Sequence, residues 1–252
     1  MKNQINNDIL YNENFPRSNN YDTAWIFKHK MGPHPLWLTE FLVQPFNLKP
    51  GMRVLDLACG KGITSVFLAR EFGVQVYSVD FDEWEGCDTI ATSWNNAKEY
   101  GLEDLIVPIK ADARNLPFAP EFFDAIICTN AYFYFGADED YLDYVAKYLH
   151  TGGQIGMIVP GYMRDNTKGV PDYMEEFDDG SCVWQPLSWW KALWEKSESV
   201  SINTADTLPD GCNLWLLTDE IADGSETNEE IEVLRMDKGE YIGFIRLVAT
   251  KK

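Results

Sequence analysis

One stretch constrains this chain more than any other: RVLDLACGKGITSVFLAREFGVQVYSVD, residues 53–80. An apolar strand, Arg53–Leu57, carries an acid, Asp56, near its end. A tight loop follows, Ala58-Cys59-Gly60-Lys61-Gly62. The helix that begins at Ile63 places Ile63, Val66 and Phe67 on one face, with Leu68 and Phe72 widening it, as suits a helix pressed on a sheet. A second short strand, Val74–Val79, ends at another acid, Asp80, 18 residues past Gly62. Two acid-tipped strands joined through glycines and a helix make a nucleoside-binding half of a doubly wound α/β sheet.

The rest of the chain repeats that rhythm. A helix over 85–100 leads to a strand at Leu105–Ile109 and then Ala111-Asp112-Ala113. A fourth strand, Phe123–Cys128, is apolar after Asp124, as a strand buried on both faces should be. Asp138 is positioned to cap a helix with Tyr141, Val145, Tyr148 and Leu149 inward. Gly152-Gly153 breaks to a fifth strand, Gln154–Val159. Strands alternating with helices call for a parallel sheet covered on both faces. Later elements are a short helix from Trp189 to Lys196 capped by Ser188, a strand at Val200–Ala205, helices over 208–221 and 228–237, and a last strand, Tyr241–Ala249. Ahead of the sheet, residues 1–20 read as a flexible arm. Tyr21–Lys30 and Leu36–Phe46 read as helices around the breaker-rich turn Met31-Gly32-Pro33-His34-Pro35. Residues 21–252 are expected to form one domain.

The set Asp56, Gly60, Gly62, Asp80 and Asp112, each after its own strand, resembles the S-adenosylmethionine (SAM) dependent methyltransferases of the Rossmann-like class I. The nearest likeness is to small-molecule members of the ubiquinone/menaquinone and cyclopropane-synthase-like kind. It covers roughly residues 36–160. The resemblance implies a seven-stranded sheet, mostly parallel, whose last strand runs antiparallel between the fifth and sixth. It also implies SAM as cofactor. Asp56, Ala58, Gly60 and Gly62 would shape the loop near its amino-acid end. Asp80 would take the ribose hydroxyls, with Phe81 beside it. Asp112 and Ala113 would take the adenine, and Thr129 and Asn130 would flank the sulfonium. Residues 21–50 would be lid helices, bringing Tyr21, Met31 or Gly32 to the site, and 160–198 a substrate-cap insertion.

Two departures separate this pattern from nicotinamide-dependent oxidoreductases. Ser65 stands where their third glycine would be, and an acid sits four residues before the first glycine. No GxxxxGK[ST] occurs, so a P-loop is excluded. After strand four, Asn130-Ala131-Tyr132 is not the N/D-P-P-Y of enzymes that methylate adenine or amide nitrogen, and no Pro-Cys nucleophile of the cytosine-C5 type is present.

Methyl transfer needs alignment and water exclusion more than a fixed catalytic group. The candidates for the acceptor side are therefore few. Tyr134, in the aromatic run Tyr132–Phe135, is the first, as a hydrogen-bond donor or weak base. His34 is the second. Trp184, Trp189, Trp190 and Trp194 offer a pocket wall. The insertion carries Asp165, Asp172, Glu175, Glu176, Asp178 and Asp179 against Arg164 and Lys168, which suggests an amine-bearing acceptor.

A formal net charge of −19 disfavours a nucleic-acid partner. Five scattered cysteines without a CxxC pair suit a reducing cytoplasm, and three histidines give a metal site little material. The N-terminus has no apolar run of the signal-peptide kind, and no stretch approaches a membrane span. The partner expected is a small-molecule methyl acceptor. Two other readings stand beside this one: a SAM-binding protein without transferase activity, and a SAM-using lipid-modifying enzyme of the cyclopropane-synthase-like kind.

Overall fold

The structure is a computed structural model that describes residues 7–81, 88–165, 169–174, 183–223 and 229–252. Seven strands form one sheet: β1 (Arg53–Leu57), β2 (Gln75–Asp80), β3 (Ile106–Lys110), β4 (Phe123–Thr129), β5 (Leu149–Tyr162), β6 (Val200–Thr207) and β7 (Ile242–Lys251). Their spatial order is β3-β2-β1-β4-β5-β7-β6. β1 to β5 are parallel, and β7 lies antiparallel between β5 and β6. The expected topology is what the chain adopts.

Among the described residues, eight helices cover the sheet: α1 (Thr23–His29), α2 (Pro35–Val43), α3 (Ile63–Phe72), α4 (Thr89–Glu99), α5 (Tyr141–Ala146), α6 (Leu187–Trp194), α7 (Gly211–Asp223) and α8 (Glu229–Asp237). One buried cluster joins α1, α2, α3, α7 and α8 to one face of the sheet. A second joins α5 and α6 to the other. Strand side chains alternate between these layers. Val54 goes to the first, and Leu55 and Leu57 to the second. That parity turns Asp56 toward α3. On β2 it turns Ser78 and Asp80 the same way, because Asp56 pairs with Ser78 across the ladder.

The first residues described are not loose. Leu10, Phe15 and Ser18 are buried. Glu40 of α2, itself buried, accepts hydrogen bonds from the backbone N–H groups of Arg17 and Ser18 at 3.0 and 2.8 Å and from the Ser18 hydroxyl at 2.6 Å. Hydrogen bonds to a buried charge are worth about 1.5–3 kcal/mol each. Glu40→Ala is therefore expected to lower unfolding free energy by about 2–4 kcal/mol and to open the chain before Tyr21 to limited proteolysis. Unchanged cleavage would mean that the arm is held by Leu10 and Phe15 alone.

β5 starts at Leu149, five residues earlier than its sequence suggests, and α5 ends at Ala146. Leu149 pairs with Phe123 and Gln154 with Ala125, with a register shift between them. Gly152-Gly153 sits in that irregularity, where glycine accommodates extra chain without ending the strand. The helix after the insertion begins at Leu187 behind Pro186, with no side-chain cap from Ser188.

Candidate active site

The order of parallel strands reverses between β1 and β4, and the crevice at their carboxyl ends is where such sheets bind ligands. Two clefts open there. The first, about 440 Å³, is lined among others by His29, Met31, Gly32, Gly60, Lys61, Thr129 and Asn130. The second, about 420 Å³, is lined by Val79, Phe81, Ala111, Asp112, Ala113, Arg114 and Phe135. Ala58, Asp80 and Tyr134 line both, and so mark the seam between them.

Asp80 is buried at the tip of β2. Its Oδ2 accepts the Gly60 N–H at 2.8 Å and its Oδ1 the Thr89 hydroxyl at 3.0 Å. The carboxylate thus ties the glycine loop to the start of α4. Asp112 caps its own turn, accepting the Arg114 N–H at 2.8 Å. Arg114 reaches on to the Tyr134 carbonyl at 3.1 Å, which fixes the short turn Tyr132–Tyr134 beside the seam. Phe81 is half exposed, against the second cleft.

Asp56 lines neither cleft. Its Oδ2 accepts the hydroxyls of Thr64 and Ser65, both at 2.5 Å, and so fastens the first turn of α3 to β1. Ser65 Oγ is 2.7 Å from Ser78 Oγ, which is 3.0 Å from Ser93 Oγ. Because Ser65 donates to Asp56, Ser78 must donate to Ser65 and Ser93 to Ser78. A serine where a dinucleotide fold has its third glycine is thus part of a buried polar seam between α3, β2 and α4. Burial pushes the Asp56 carboxyl up to about 6, against the lowering hydrogen bonds of Ser65 and Thr64 and with a further push from Asp80. A carboxyl raised above its unfolded value favours the fold while protonated. Its contribution is full below about pH 4 and is lost as pH rises through about 6. Stability should therefore fall across that window by on the order of 2–3 kcal/mol from this group. Asp56→Asn, whose Oδ1 still accepts both hydroxyls, should remove that slope in urea unfolding series from pH 4 to 7. An identical slope in the variant would exclude Asp56 as its source.

The turn Met31–Pro35 contributes Met31, Gly32, Pro33 and Pro35 to the lining of the first cleft. A Cβ on Gly32 would stand 2.9 Å from Asn130 Nδ2. Lys30 holds this turn by donating to the Gly32 carbonyl at 2.9 Å and to Asp219 of α7 at 2.6 Å. Asn130, in the left-handed region at φ +57°, leaves its Oδ1 buried without a partner. Thr129 faces Thr39 of α2, with 3.2 Å between hydroxyls.

His34 has a different place from the one its sequence suggests. It is buried as the N-cap of α2, where Nδ1 accepts the Trp37 N–H at 3.2 Å and the ring stacks on Trp37 at 4.1 Å. It faces the packing of α2 against α7, and lines neither cleft. Burial pushes its pKa down to about 3, with help from Lys30. Tyr21 is likewise core, against Phe67 and Tyr100. The histidine that does line the first cleft is His29, which sequence reading passed over. Its only local signal is its position four residues after Trp25, against whose ring it packs edge-on at 5.5 Å.

Trp190 and Trp194 are buried around Tyr132. Trp184 packs on Trp215. Among the described residues, nothing between 160 and 198 lines either cleft. Tyr173 instead donates to Asp237 at the end of α8, at 2.9 Å. Lys168, Glu175, Glu176, Asp178 and Asp179 lie outside the described residues, and Arg164 pairs with Glu240.

A sheet in this order, with acid-tipped β2 and a glycine loop beneath the cleft, is the Rossmann-like methyltransferase fold. Geranyl diphosphate C-methyltransferase of Streptomyces coelicolor has it at a TM-score of 0.70 and 16% identity, over 85% of this chain and 77% of that one. Residues 54–153 match the family model described as Methyltransferase domain. Among curated relatives, the 2-phytyl-1,4-naphtoquinone methyltransferase of Nostoc punctiforme is 35% identical over 97 residues, 38% of this chain and 40% of that protein. Methyltransferase GfsG of Streptomyces halstedii is 27% identical over 136 residues, 53% of this chain and 48% of that protein. The matched stretches thus span no more than about half of these relatives.

Proposed function

We propose that this chain transfers a methyl group from SAM to a small organic acceptor. The observation that carries the reading is the pair of clefts meeting at Ala58, Asp80 and Tyr134. The second cleft has acids at two strand tips and aromatic rings, Phe81 and Phe135, which suit a nucleoside. The first adds the glycine loop, with Gly60 and Lys61, and the polar residues His29 and Asn130 to its lining, which suit the charged end of an amino acid. Clefts of this size suit small molecules.

Asp80 would accept the ribose hydroxyls. Asp112 and the Ala113 backbone would read the adenine edge. Gly60, which lines the first cleft, would let the loop backbone approach, and Gly62, which lines neither cleft, would hold the loop against α4. When bound, SAM supplies an already activated methyl group. The chain then has to align the acceptor and exclude water. Met31, Pro33 and Pro35 would form an apolar wall for that purpose, and Tyr134, at the seam, would hydrogen-bond the acceptor. A cytoplasmic location without a nucleic-acid partner belongs to the same reading. Its support is the acidic balance and the free, buried thiols of Cys59, Cys128 and Cys212.

A thermal-shift panel with SAM, S-adenosylhomocysteine and NADH tests the cofactor. Stabilisation by the two adenosyl ligands alone is expected, and stabilisation by NADH alone would overturn it. Formation of S-adenosylhomocysteine from SAM in a metabolite extract then tests transfer. Tight SAM binding with no product in any extract would favour a binding protein without activity.

A further inference from the structure

Lys30 stands between His29 and Met31, which both line the first cleft, yet it lines neither cleft itself. Its ammonium donates to the Gly32 carbonyl at 2.9 Å and to Asp219 of α7 at 2.6 Å, and the two charged side chains are only 13% and 10% exposed. One cation thus closes the turn that lines the cleft and ties it to α7. Pro33 makes a second link. It lines the first cleft and also the packing of α2 against α7, where it meets Trp215. The Trp215 indole N–H donates to Glu230 of α8 at 2.7 Å, and the Glu230 carboxyl is hydrogen-bonded to that of Asp219. Lys30, Asp219, Glu230 and Trp215 therefore form one run of contacts from α8 to the back of the cleft wall.

Two carboxyls can share a hydrogen bond only while one of them holds a proton. The ammonium beside Asp219 makes that residue the charged member, so the proton stays on Glu230. Burial is first in pushing the Glu230 carboxyl up to about 7, followed by the hydrogen bond to Asp219 and its charge, while the Trp215 indole and Lys30 oppose them. The other charges of the helix pair are matched among themselves: Arg235 of α8 takes Glu220 and Glu232 at 2.8 and 2.7 Å. His34, within reach of the Lys30 charge, is neutral. With its proton, the group of Lys30, Asp219 and Glu230 has no net charge. Without it, one negative charge is left over in a half-buried place, the shared hydrogen bond is lost and the two carboxylates repel.

We propose that Lys30 and Asp219 are positioning residues for the first cleft, and that the proton held by Glu230 keeps α7 and α8 seated behind its wall. What this does to ligand binding rests on the SAM reading above; what it does to the wall does not. A carboxyl raised above its ordinary value supports the seated arrangement while protonated, and that support is lost as pH rises through about 7. The wall is therefore better ordered in acid.

Glu230→Gln is the deciding variant. Glutamine accepts the Trp215 N–H through Oε1 and donates to Asp219 through Nε2, so it keeps the protonated arrangement at every pH. Asp56 is present in both proteins, and their difference isolates Glu230. Hydrogen–deuterium exchange over residues 29–38, without ligand and corrected for the chemical exchange rate, reads the wall. Wild type should lose about fivefold protection or more between pH 6 and 8, and Glu230→Gln should lose none. Calorimetry with S-adenosylhomocysteine reads the cleft. Wild-type affinity should fall by about fivefold or more over the same range, and Glu230→Gln should hold its pH 6 value. Lys30→Met, whose turn has no anchor, should bind about tenfold more weakly than wild type at pH 6. Arg235→Ala, which loosens the same helix pair without touching the shared proton, should lower the melting temperature and keep the wild-type pH profile. Equal pH dependence in wild type and Glu230→Gln, in either measurement, would overturn the proposal, and so would wild-type affinity in Lys30→Met. Wild type that shows the exchange difference but binds no S-adenosylhomocysteine would remove the SAM reading and leave the role of the proton in the wall standing.

Discussion

Gly62→Ala should nearly abolish binding of S-adenosylhomocysteine while leaving a folded protein of reduced stability. Gly62 caps α3 with φ +76° and ψ 17°. A Cβ there would stand 2.2 Å from Ser93 Oγ, 2.7 Å from its Cβ and 2.9 Å from its Cα. A rotamer change at Ser93 clears the first contact but not the last, which is backbone of α4. The helix or the loop must move. The left-handed conformation costs alanine about 1–2 kcal/mol, and overpacking about 1–3 kcal/mol more. The sum, roughly 2–5 kcal/mol, lies within the 5–15 kcal/mol of an ordinary domain, so the fold survives. The loop does not keep its place, and an affinity loss of at least about a hundredfold is expected, because shifts of 1 Å at a positioned site carry that cost. Gly51→Ala is the matched control. Its φ is +82°, yet nothing lies within 4 Å of a Cβ there. It should show the conformational cost in urea unfolding and bind S-adenosylhomocysteine as wild type does. Equal affinities for the two variants would mean that the close approach of α4 is irrelevant to the loop.

That contrast also shows what sequence could convey. The strand patterns, the two glycines and the acids at strand tips are local, with fixed spacing, so β1, α3 and β2 were readable nearly to the residue. The partners of those residues were not. Ser93 stands 31 positions after Gly62, and nothing at either position announces their contact. Asp56 and Asp80 look equivalent as acids closing apolar strands. Only the packing of α3 buries the first under Thr64 and Ser65 and leaves the second in the seam. The lid turn was legible as a turn, but its chemistry was assigned to His34, the histidine set among prolines. A histidine can cap a helix through Nδ1 as serine would through Oγ, and α2 uses it so, while His29, one turn beyond Trp25 on a short helix, carries no motif. The long insertion suggested a cap over the site because it was long, acidic and aromatic. Its described parts reach the end of α8 through Tyr173 and the residue before β7 through Met163, contacts between residues 64 and 78 positions apart that no local pattern encodes.

Asp80 gives the second large effect. Its two oxygens already hold the Gly60 N–H and the Thr89 hydroxyl. Asp80→Ala removes the loop's anchor and the acceptor for the nucleoside together. With charged hydrogen bonds worth about 1.5–3 kcal/mol each, the expected loss of affinity is about 2–4 kcal/mol, roughly thirtyfold to a thousandfold. Asp80→Asn separates the two contributions. An asparagine can still accept the Gly60 N–H through Oδ1. Its Nδ2 can donate to Thr89, whose hydroxyl then turns to accept. The loop is kept, and only the charge and one acceptor are lost, so about tenfold is expected. If the contact is to the nucleoside, as proposed, S-adenosylhomocysteine and 5′-methylthioadenosine, which lacks the amino-acid end, should weaken by the same factor in each variant. A variant that weakens S-adenosylhomocysteine but spares 5′-methylthioadenosine would move Asp80 to the amino-acid end of the ligand. The division between the two clefts would then have to be redrawn.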